Sequence, residues 1–498
     1  VFSPPGGIAY TPGVYQPYAT FAAQCQTPRT GTNPETGRAY PDVRGSTIAE
    51  NHWLRSWTND LYLWYSEVPD LNPANYTSTA AYFDLMKTSA LSPSGAPKDR
   101  FHFTYNTEEY RLLSGSGVSV DYGLWWKIVK ASPPRRILVE YVQAGSPAAV
   151  AGVMRGAELL FTDGVDVVNG SNVAAINAAL APAVAGETHQ LVFKRRGAAP
   201  TDLNLSVQLA AAQVTYDPVP VVSVLPSASG NVGYVLFNDH NEPSEAELVN
   251  AVRTLRTANI ADLVLDLRYN GGGYLYIASQ LAYMIAGPIA TAGRVFERLQ
   301  FNSKHPSTDP VTGDPLQPFP FFDVTTDDDD LPALSLPRVY VLTSDGTCSA
   351  SESIINGLRG IGFQVVQIGG TTCGKPYGFY AADNCGTTYF SIQFRGVNEA
   401  NFGDYADGFS ATSTNIAAQA KLPGCGASDD LAHELGDPEE GQLKVALNYR
   451  ATGACLAQPS GFVRAQAASA EIPGTSVSLP PEPWRENRIV TPPRFNPR

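Results

Sequence analysis

From about residue 232 to 368, short apolar runs alternate with segments whose apolar residues recur at helical spacing. That alternation limits the fold more than any other property of the chain. Val232 to Phe237, Leu263 to Leu267, Val339 to Leu342 and Val365 to Ile368 are runs of strand length. Continuous apolar runs suit strands buried on both faces. Between the first two, Ser244 to Val249 opens a helix with acidic residues in its first turn, which complements the helix dipole. After the second, Leu275, Ala278, Leu281 and Ala282 form one apolar helix face. Parallel strands need crossover connections, so this alternation implies a multi-domain α/β chain with a largely parallel core sheet. At 498 residues the chain exceeds a single core, and further units are expected.

Residues 1–45 are rich in Pro, Gly and Thr and show no period, which reads as an extended N-terminal arm. Over 46–112, Trp53, Leu54, Trp57 and Leu61 recur at helical spacing, with Ala80, Ala81, Phe83, Leu85 and Met86 as a second apolar set. This is a small N-terminal helical module whose aromatic stripe reads as core. Residues 113–212 are β-rich: Ile137 to Val139, Leu159 to Phe161 and Leu191 to Arg195 are short strands. Between them lie Gly145-Ser146-Pro147-Ala148-Ala149-Val150-Ala151-Gly152, then Gly156, with Asp163-Gly164 further on. This run resembles a PDZ domain of the kind inserted in bacterial processing proteases, although Ala157-Glu158 stands where Gly-Asp is usual. The resemblance implies peptide binding by strand addition, with Gly115, Gly117 and Val118 in a carboxylate-holding loop. Residues 213–457 form the α/β core, and 458–498 are a Pro-rich tail.

Three segments carry candidate chemistry. Ser349 follows a strand and a Ser344-Asp345-Gly346 turn, and precedes a helix whose apolar face is Ile354, Ile355, Leu358 and Ile361. The positive end of a helix dipole favours negative charge developing on such a serine. Ser349-Ala350-Ser351-Glu352 is equally a capping box, in which the serine only satisfies a backbone N–H. Asn270-Gly271-Gly272-Gly273 closes a buried strand and opens a helix, the edge at which open α/β sheets bind ligands. Bare glycines admit a substrate carbonyl and offer N–H groups to an oxyanion. Lys375 follows the loop Gly369 to Gly374. A lysine serves as general base only when neutral, which burial promotes. That loop also matches most of a Walker A phosphate cradle, but Pro376 replaces the magnesium-binding Ser/Thr and removes an N–H, which argues against nucleotide binding.

Asp266-Leu267-Arg268-x-Asn270-x-Gly272-Gly273, Ser349-Ala350-Ser351-Glu352 and Thr372-x-Gly374-Lys375 stand in the order found in the C-terminal processing (tail-specific) proteases, the S41 serine peptidases, which the chain resembles over about 100 to 450. The resemblance implies a ClpP/crotonase-like catalytic core with Ser349 as nucleophile and Lys375 as general base. It also implies an oxyanion hole from the N–H groups of Gly272 and Ala350. Many members orient the lysine with a Gln four residues on; here that position is Phe379, so the third group stays open. Some relatives use a histidine upstream of the PDZ domain, which makes His102 the alternative base; His240 is a weaker candidate. The segments Gly403 to Gly408, Asp429-Asp430-Leu431 and Leu435 to Pro438 resemble a secreted bacterial branch of the family.

The expected function is a serine endopeptidase acting on protein or peptide through an acyl-enzyme. The alternatives are a catalytically silent peptide- or ligand-binding protein, or an esterase or amidase on small molecules. A net charge of −13 argues against nucleic acid as a partner. No apolar run is long enough to span a bilayer. No His, Cys and carboxylate spacing points to zinc, and no metal or organic cofactor is expected. The acids Asp327 to Asp330 read as a solvated loop rather than a calcium site. Six cysteines, few basic residues and no initiator Met suggest a processed, exported protein, periplasmic or extracellular. Cys425 with Cys455 is the favoured disulfide and Cys373 with Cys385 the next.

Overall fold

The computed structural model describes residues 8–34, 36–199, 201–456 and 476–477, and the backbone of 488–489. The tail expected over 458–498 lies otherwise outside the described residues.

The core sheet is six-stranded. Val221–Leu225 pairs antiparallel with Val232–Leu236, after which Asp262–Asp266, Arg338–Thr343, Gln364–Gly369 and Gly424–Cys425 follow as parallel neighbours. Alternate residues of each strand face opposite sides. Val235, Leu265, Val341 and Val365 pack against the helices Ser244–Thr257, Leu275–Ala286 and Ala350–Gly360. Tyr234, Val264, Leu342 and Val366 pack against Leu443 and Val445 of the helix Gly441–Thr452. Both faces are covered, which is why these strands read as unbroken apolar runs.

A second sheet has its own core. Its strands run in the order Leu205–Ala210, Thr188–Lys194, Glu158–Thr162, Arg136–Val142 and Leu124–Lys130, all antiparallel. Ile137, Val139, Leu159, Ile176, Leu191 and Phe193 fill its interior. Leu124–Lys130 lies at its edge. The expected loop around Gly115, Gly117 and Val118 is absent. Asn106 caps a helix Thr107–Ser116 through Oδ1, which accepts from the N–H groups of Glu108 and Glu109. Gly117 ends that helix in the left-handed region at φ 64° and donates its N–H to Leu113 O at 2.8 Å. Val118–Asp121 then pairs with Ala212–Thr215. The segment is consumed by a helix, its cap and a strand rather than left open for a carboxylate.

At the N-terminal side, Ser46 Oγ caps the helix Thr47–Leu61, and Trp53, Leu54, Trp57 and Leu61 are buried against Phe83 and Met86. The described part of the N-terminal arm is docked on this helix. The Arg55 guanidinium donates to Val14 O and Thr11 O and pairs with Asp70. Three disulfides are present: Cys25–Cys385, Cys348–Cys373 and Cys425–Cys455. The last agrees with the expectation. Cys373 does not bond Cys385: Cys385 lies on the turn between Ala382–Asn384 and Thr387–Phe390 and meets the arm, while Cys373 lies on the loop facing Cys348. Among the described residues no helix is long and apolar enough to cross a membrane.

Candidate active site

Ser349 stands where the strand Arg338–Thr343 has turned into the helix Ala350–Gly360, at the C-terminal edge of the core sheet. It is fully buried and has φ 58° and ψ −114°. A side chain in the left-handed region is uncommon, and strain of this kind persists where surrounding bonds enforce it. Here they do. Thr347 Oγ1 donates to Leu267 O at 2.8 Å, Cys348 N–H to Asn270 O at 3.1 Å, and Ser351 Oγ to the same oxygen at 2.9 Å. The serine turn is thereby fixed to the glycine loop. Ala350 opens the helix, so its N–H has no carbonyl one turn earlier to bond.

The glycine loop is held from beneath. Arg268 is fully buried and bonds Asp266, Asp429 at 2.8 Å and both oxygens of Glu440 at 2.6 and 2.9 Å. Asn270 Nδ2 donates to Phe237 O, and its Oδ1 accepts the Gly272 N–H at 3.0 Å. Gly272 thus differs from the expected open oxyanion donor: its N–H is already bonded, because Asn270 closes a local turn over it. His240 grips the same loop, with Nδ1 at 2.9 Å from Asn270 Oδ1 and 3.0 Å from Gly272 O. Burial pushes its imidazole down to about 3, so it stays neutral in ordinary buffers and orients rather than titrates. The backbone of Arg488–Ile489 pairs in parallel with Gly273–Tyr274 at this edge.

Lys375 is fully buried, with Nζ 4.7 Å from the Phe101 ring centroid and 4.6 Å from that of Phe379. No helix opens after it; Pro376 leads into the short strand Tyr377–Gly378, which is unlike a phosphate cradle. The position where relatives carry an orienting Gln is one wall of an aromatic slot. His102 lies apart from this chemistry. Its Nε2 is 2.8 Å from Phe83 O, its ring stacks on Phe83 at 3.8 Å, and burial pushes it down to about 4. A histidine packed in that way is core.

Glu352 joins the pieces. It is fully buried, and its carboxylate accepts from Ser349 N–H at 3.0 Å, Lys375 N–H at 2.8 Å, Gly374 N–H at 2.9 Å and Thr372 Oγ1 at 2.5 Å. Burial pushes this carboxyl above its ordinary range, while the donors pull the other way. Ser349 and Lys375 bond the same Oε2, so their backbones are immediate neighbours. The Cys348–Cys373 disulfide crosses the same gap, with Cα atoms 5.2 Å apart. By spacing alone Glu352 is a helix cap, and neither the Cys348–Cys373 disulfide nor the place of Phe101 beside Lys375 follows from the motifs. The signal for the disulfide was present: one cysteine immediately precedes the serine motif and another lies within the lysine motif. Phe101 has no such signal.

A cleft of about 980 Å³ lies between the second sheet and the core. Lys127, Arg136 and Arg196 line one side, and Asp345, Thr371 and Asp429 the other. A smaller pocket of about 570 Å³, lined by Arg100, Phe101, Asp345 and Cys373, adjoins the lysine loop. Arg155, from the loop before Glu158–Thr162, crosses to the core: it donates to Tyr269 Oη and Asp429, at 2.7 Å to the latter. The acids Asp327 to Asp330 are exposed.

Comparison with known proteins agrees with this geometry. The model of peptidase family S41 matches residues 231–378, and the peptidase S41 N-terminal domain matches 49–105. A carboxyl-terminal-processing protease of Picosynechococcus sp. is 27% identical over 273 residues, 54% of this chain and 58% of that protein. A probable CtpA-like serine protease of Staphylococcus aureus is 26% identical over 261 residues, 51% of this chain and 45% of that protein. The chain spans about half the length of these curated relatives. A solved putative S41 protease from Bacteroides fragilis shares the fold, with TM-score 0.61 and 23% identity over 83% of this chain and 98% of that one. With the glycine, serine and lysine motifs assembled on one sheet edge, residues 231–378 are similar to peptidase family S41 and residues 49–105 to its N-terminal domain.

Proposed function

We propose that this chain is an exported serine endopeptidase of the C-terminal-processing kind, working through a Ser349–Lys375 dyad. The observation that carries the reading is the convergence of the two segments on one buried carboxylate, Glu352. In the first step Ser349 Oγ attacks the scissile carbonyl carbon while neutral Lys375 Nζ takes its proton. The tetrahedral oxyanion is met by the Ala350 N–H at the helix start, where the dipole is favourable. Collapse breaks the C–N bond, Lys375 returns the proton to the leaving amine, and water hydrolyses the acyl-enzyme by the reverse use of the same base. Gly272 contributes by fixing the loop, since Asn270 occupies its N–H. The Phe101 and Phe379 rings flank Lys375 Nζ and shield it from water.

The second sheet acts as a PDZ-like module that takes an extended peptide at its edge strand Leu124–Lys130. The cleft between that strand and Asp345 gives the peptide a path toward Ser349. Three disulfides support an oxidising compartment. The test is hydrolysis of an unfolded protein and of tailed peptides by wild type, Ser349→Ala and Lys375→Ala across pH. Turnover lost in both variants, with a base limb on the alkaline side, supports the dyad. Turnover surviving in Ser349→Ala would sink it.

A further inference from the structure

The Cys348–Cys373 disulfide sits differently from the other two. Cys25–Cys385 ties the N-terminal arm to a hairpin turn, and Cys425–Cys455 ties an edge strand to the end of a helix. Cys348 immediately precedes Ser349, and Cys373 lies two residues before Lys375. Each end is anchored. Cys348 N–H donates to Asn270 O at 3.1 Å, and Cys373 N–H donates to Thr347 O at 3.0 Å. Arg100 donates to the Cys373 carbonyl. The lysine loop that follows the strand Gln364–Gly369 contains Gly370 and Gly374, the latter at φ 82°, and glycine restricts the backbone less than any other residue.

Resting on the Ser349–Lys375 reading, we infer that the Cys348–Cys373 disulfide is a positioning element of the catalytic machinery, which sets the lysine loop against the serine turn. Glu352 fixes the same register through four hydrogen bonds. Those bonds can exchange with water once the loop opens; the covalent link cannot. A displacement of about 1 Å in a catalytic group costs on the order of 100-fold in rate, so loosening the loop falls on turnover rather than on peptide binding, which uses other surfaces.

The disulfide is also within reach of solution chemistry. Cys348 is buried, but Cys373 is partly exposed and lines the pocket beside Arg100 and Asp407. A dithiol reductant would enter there. Its thiolate attacks Cys373 Sγ, the Cys348–Cys373 bond breaks, and Cys348 leaves as thiolate. The second thiol of the reductant then displaces Cys373. Two electrons and two protons pass to the protein, and the reductant becomes a cyclic disulfide.

The experiment uses the intact chain, oxidised or treated with dithiothreitol, and reads kcat, KM, labelling of Ser349 by a fluorophosphonate, and amide exchange over 372–375. The expected result is a fall in kcat of tenfold or more on reduction, with KM within about twofold, and recovery on reoxidation. Exchange at Gly374 and Lys375 should rise. Cys348→Ala/Cys373→Ala should have the low kcat from the start and no further response to reductant. Cys425→Ser/Cys455→Ser should keep the wild-type response. Wild-type kcat and pH profile in the Cys348→Ala/Cys373→Ala variant would overturn the inference, as would an equal loss in that variant on reduction. Should oxidised wild type resist the fluorophosphonate, the peptidase reading fails. Amide exchange then decides the clamp alone: faster exchange on reduction supports it and unchanged exchange refutes it.

Discussion

Two joints meet at the C-terminal edge of the core sheet, and they are built from different materials. The joint between serine turn and lysine loop uses one disulfide and one carboxylate that accepts only from uncharged donors. The joint between the second sheet and the core uses charge: Arg155 and Arg268 share Asp429, while Arg268 also holds Asp266 and Glu440. A covalent bond and hydrogen bonds from uncharged donors have short range and fixed direction, which suits two segments that must keep one register. Charges act over longer distances and tolerate small shifts, which suits two rigid bodies. The contrast predicts that damage to the charged joint appears as lost stability and damage to the neutral joint as lost turnover.

The largest effect should come from Arg268→Met. It strands Asp266 and Glu440, both buried, without their cation. Breaking a buried pair by removing one partner costs about 3–5 kcal/mol, which thermal or denaturant unfolding would read. A loss under about 1 kcal/mol would mean that the charged joint does not hold the core. Glu352→Gln should come next, on a different axis. It keeps the shape but replaces one acceptor oxygen by a donor facing N–H groups. A lost hydrogen bond to a charged acceptor is worth about 1.5–3 kcal/mol. If that is taken from loop position, kcat falls on the order of 10- to 100-fold with KM little changed. Unaltered kcat with a lowered melting temperature would erase the distinction between the joints.

How much of this was legible beforehand follows the same division. The core strands and helices could be read because burial on both faces leaves unbroken apolar runs, as at Leu263 to Leu267. Ser349, the glycine loop and Lys375 could be read as segments, because the chemistry restricts residue type at each position. Their joints could not. Glu352 looks like a helix cap from its spacing to Ser349, and nothing local says that its other donors come from residues 372–375. The segment Asp429-Asp430 had no partner in view, and Arg155 lies 274 positions from the aspartate it bonds. The loop expected around Gly115 and Gly117 failed for a local reason instead: Asn106 and Gly117 cap a helix, and their caps outweigh a run of small residues.

The charged joint also has a pH signature. Asp429, between two guanidiniums, has its carboxyl held well below the usual range, chiefly by Arg155 and Arg268 working against burial. The unfolded chain therefore binds a proton near pH 4 that the folded chain still refuses. Stability from this group is complete above that pH and declines as pH falls. Asp429→Asn should lower stability at neutral pH by about 2 kcal/mol and flatten the acid limb. An acid limb as steep as that of wild type would place the sensitivity elsewhere.

A third joint should respond in the opposite sense and by less. Where the segment leaving the second sheet meets the helix Ser244–Thr257, Asp217 Oδ1 and Glu247 Oε2 both accept the Val219 N–H, at 2.9 and 3.0 Å. Two carboxyls on one donor favour keeping a proton between them. Burial, then the hydrogen bond and charge of Asp217, push Glu247 up to about 8. Its folded value lies above the unfolded one, so between about pH 4.5 and 8 the folded chain holds a proton that the unfolded chain has released. The associated stability is fully present below that window and is lost as pH rises through it. The pair is partly open to solvent, which screens the interaction, so the expected change is only about 1 kcal/mol. Glu247→Gln mimics the protonated form and should remove the decline while leaving stability at pH 5 nearly unchanged. A decline that persists in Glu247→Gln would assign it to another group. With both variants in hand, the charged joint and the carboxyl pair are separable by sign alone, because one weakens toward acid and the other toward base.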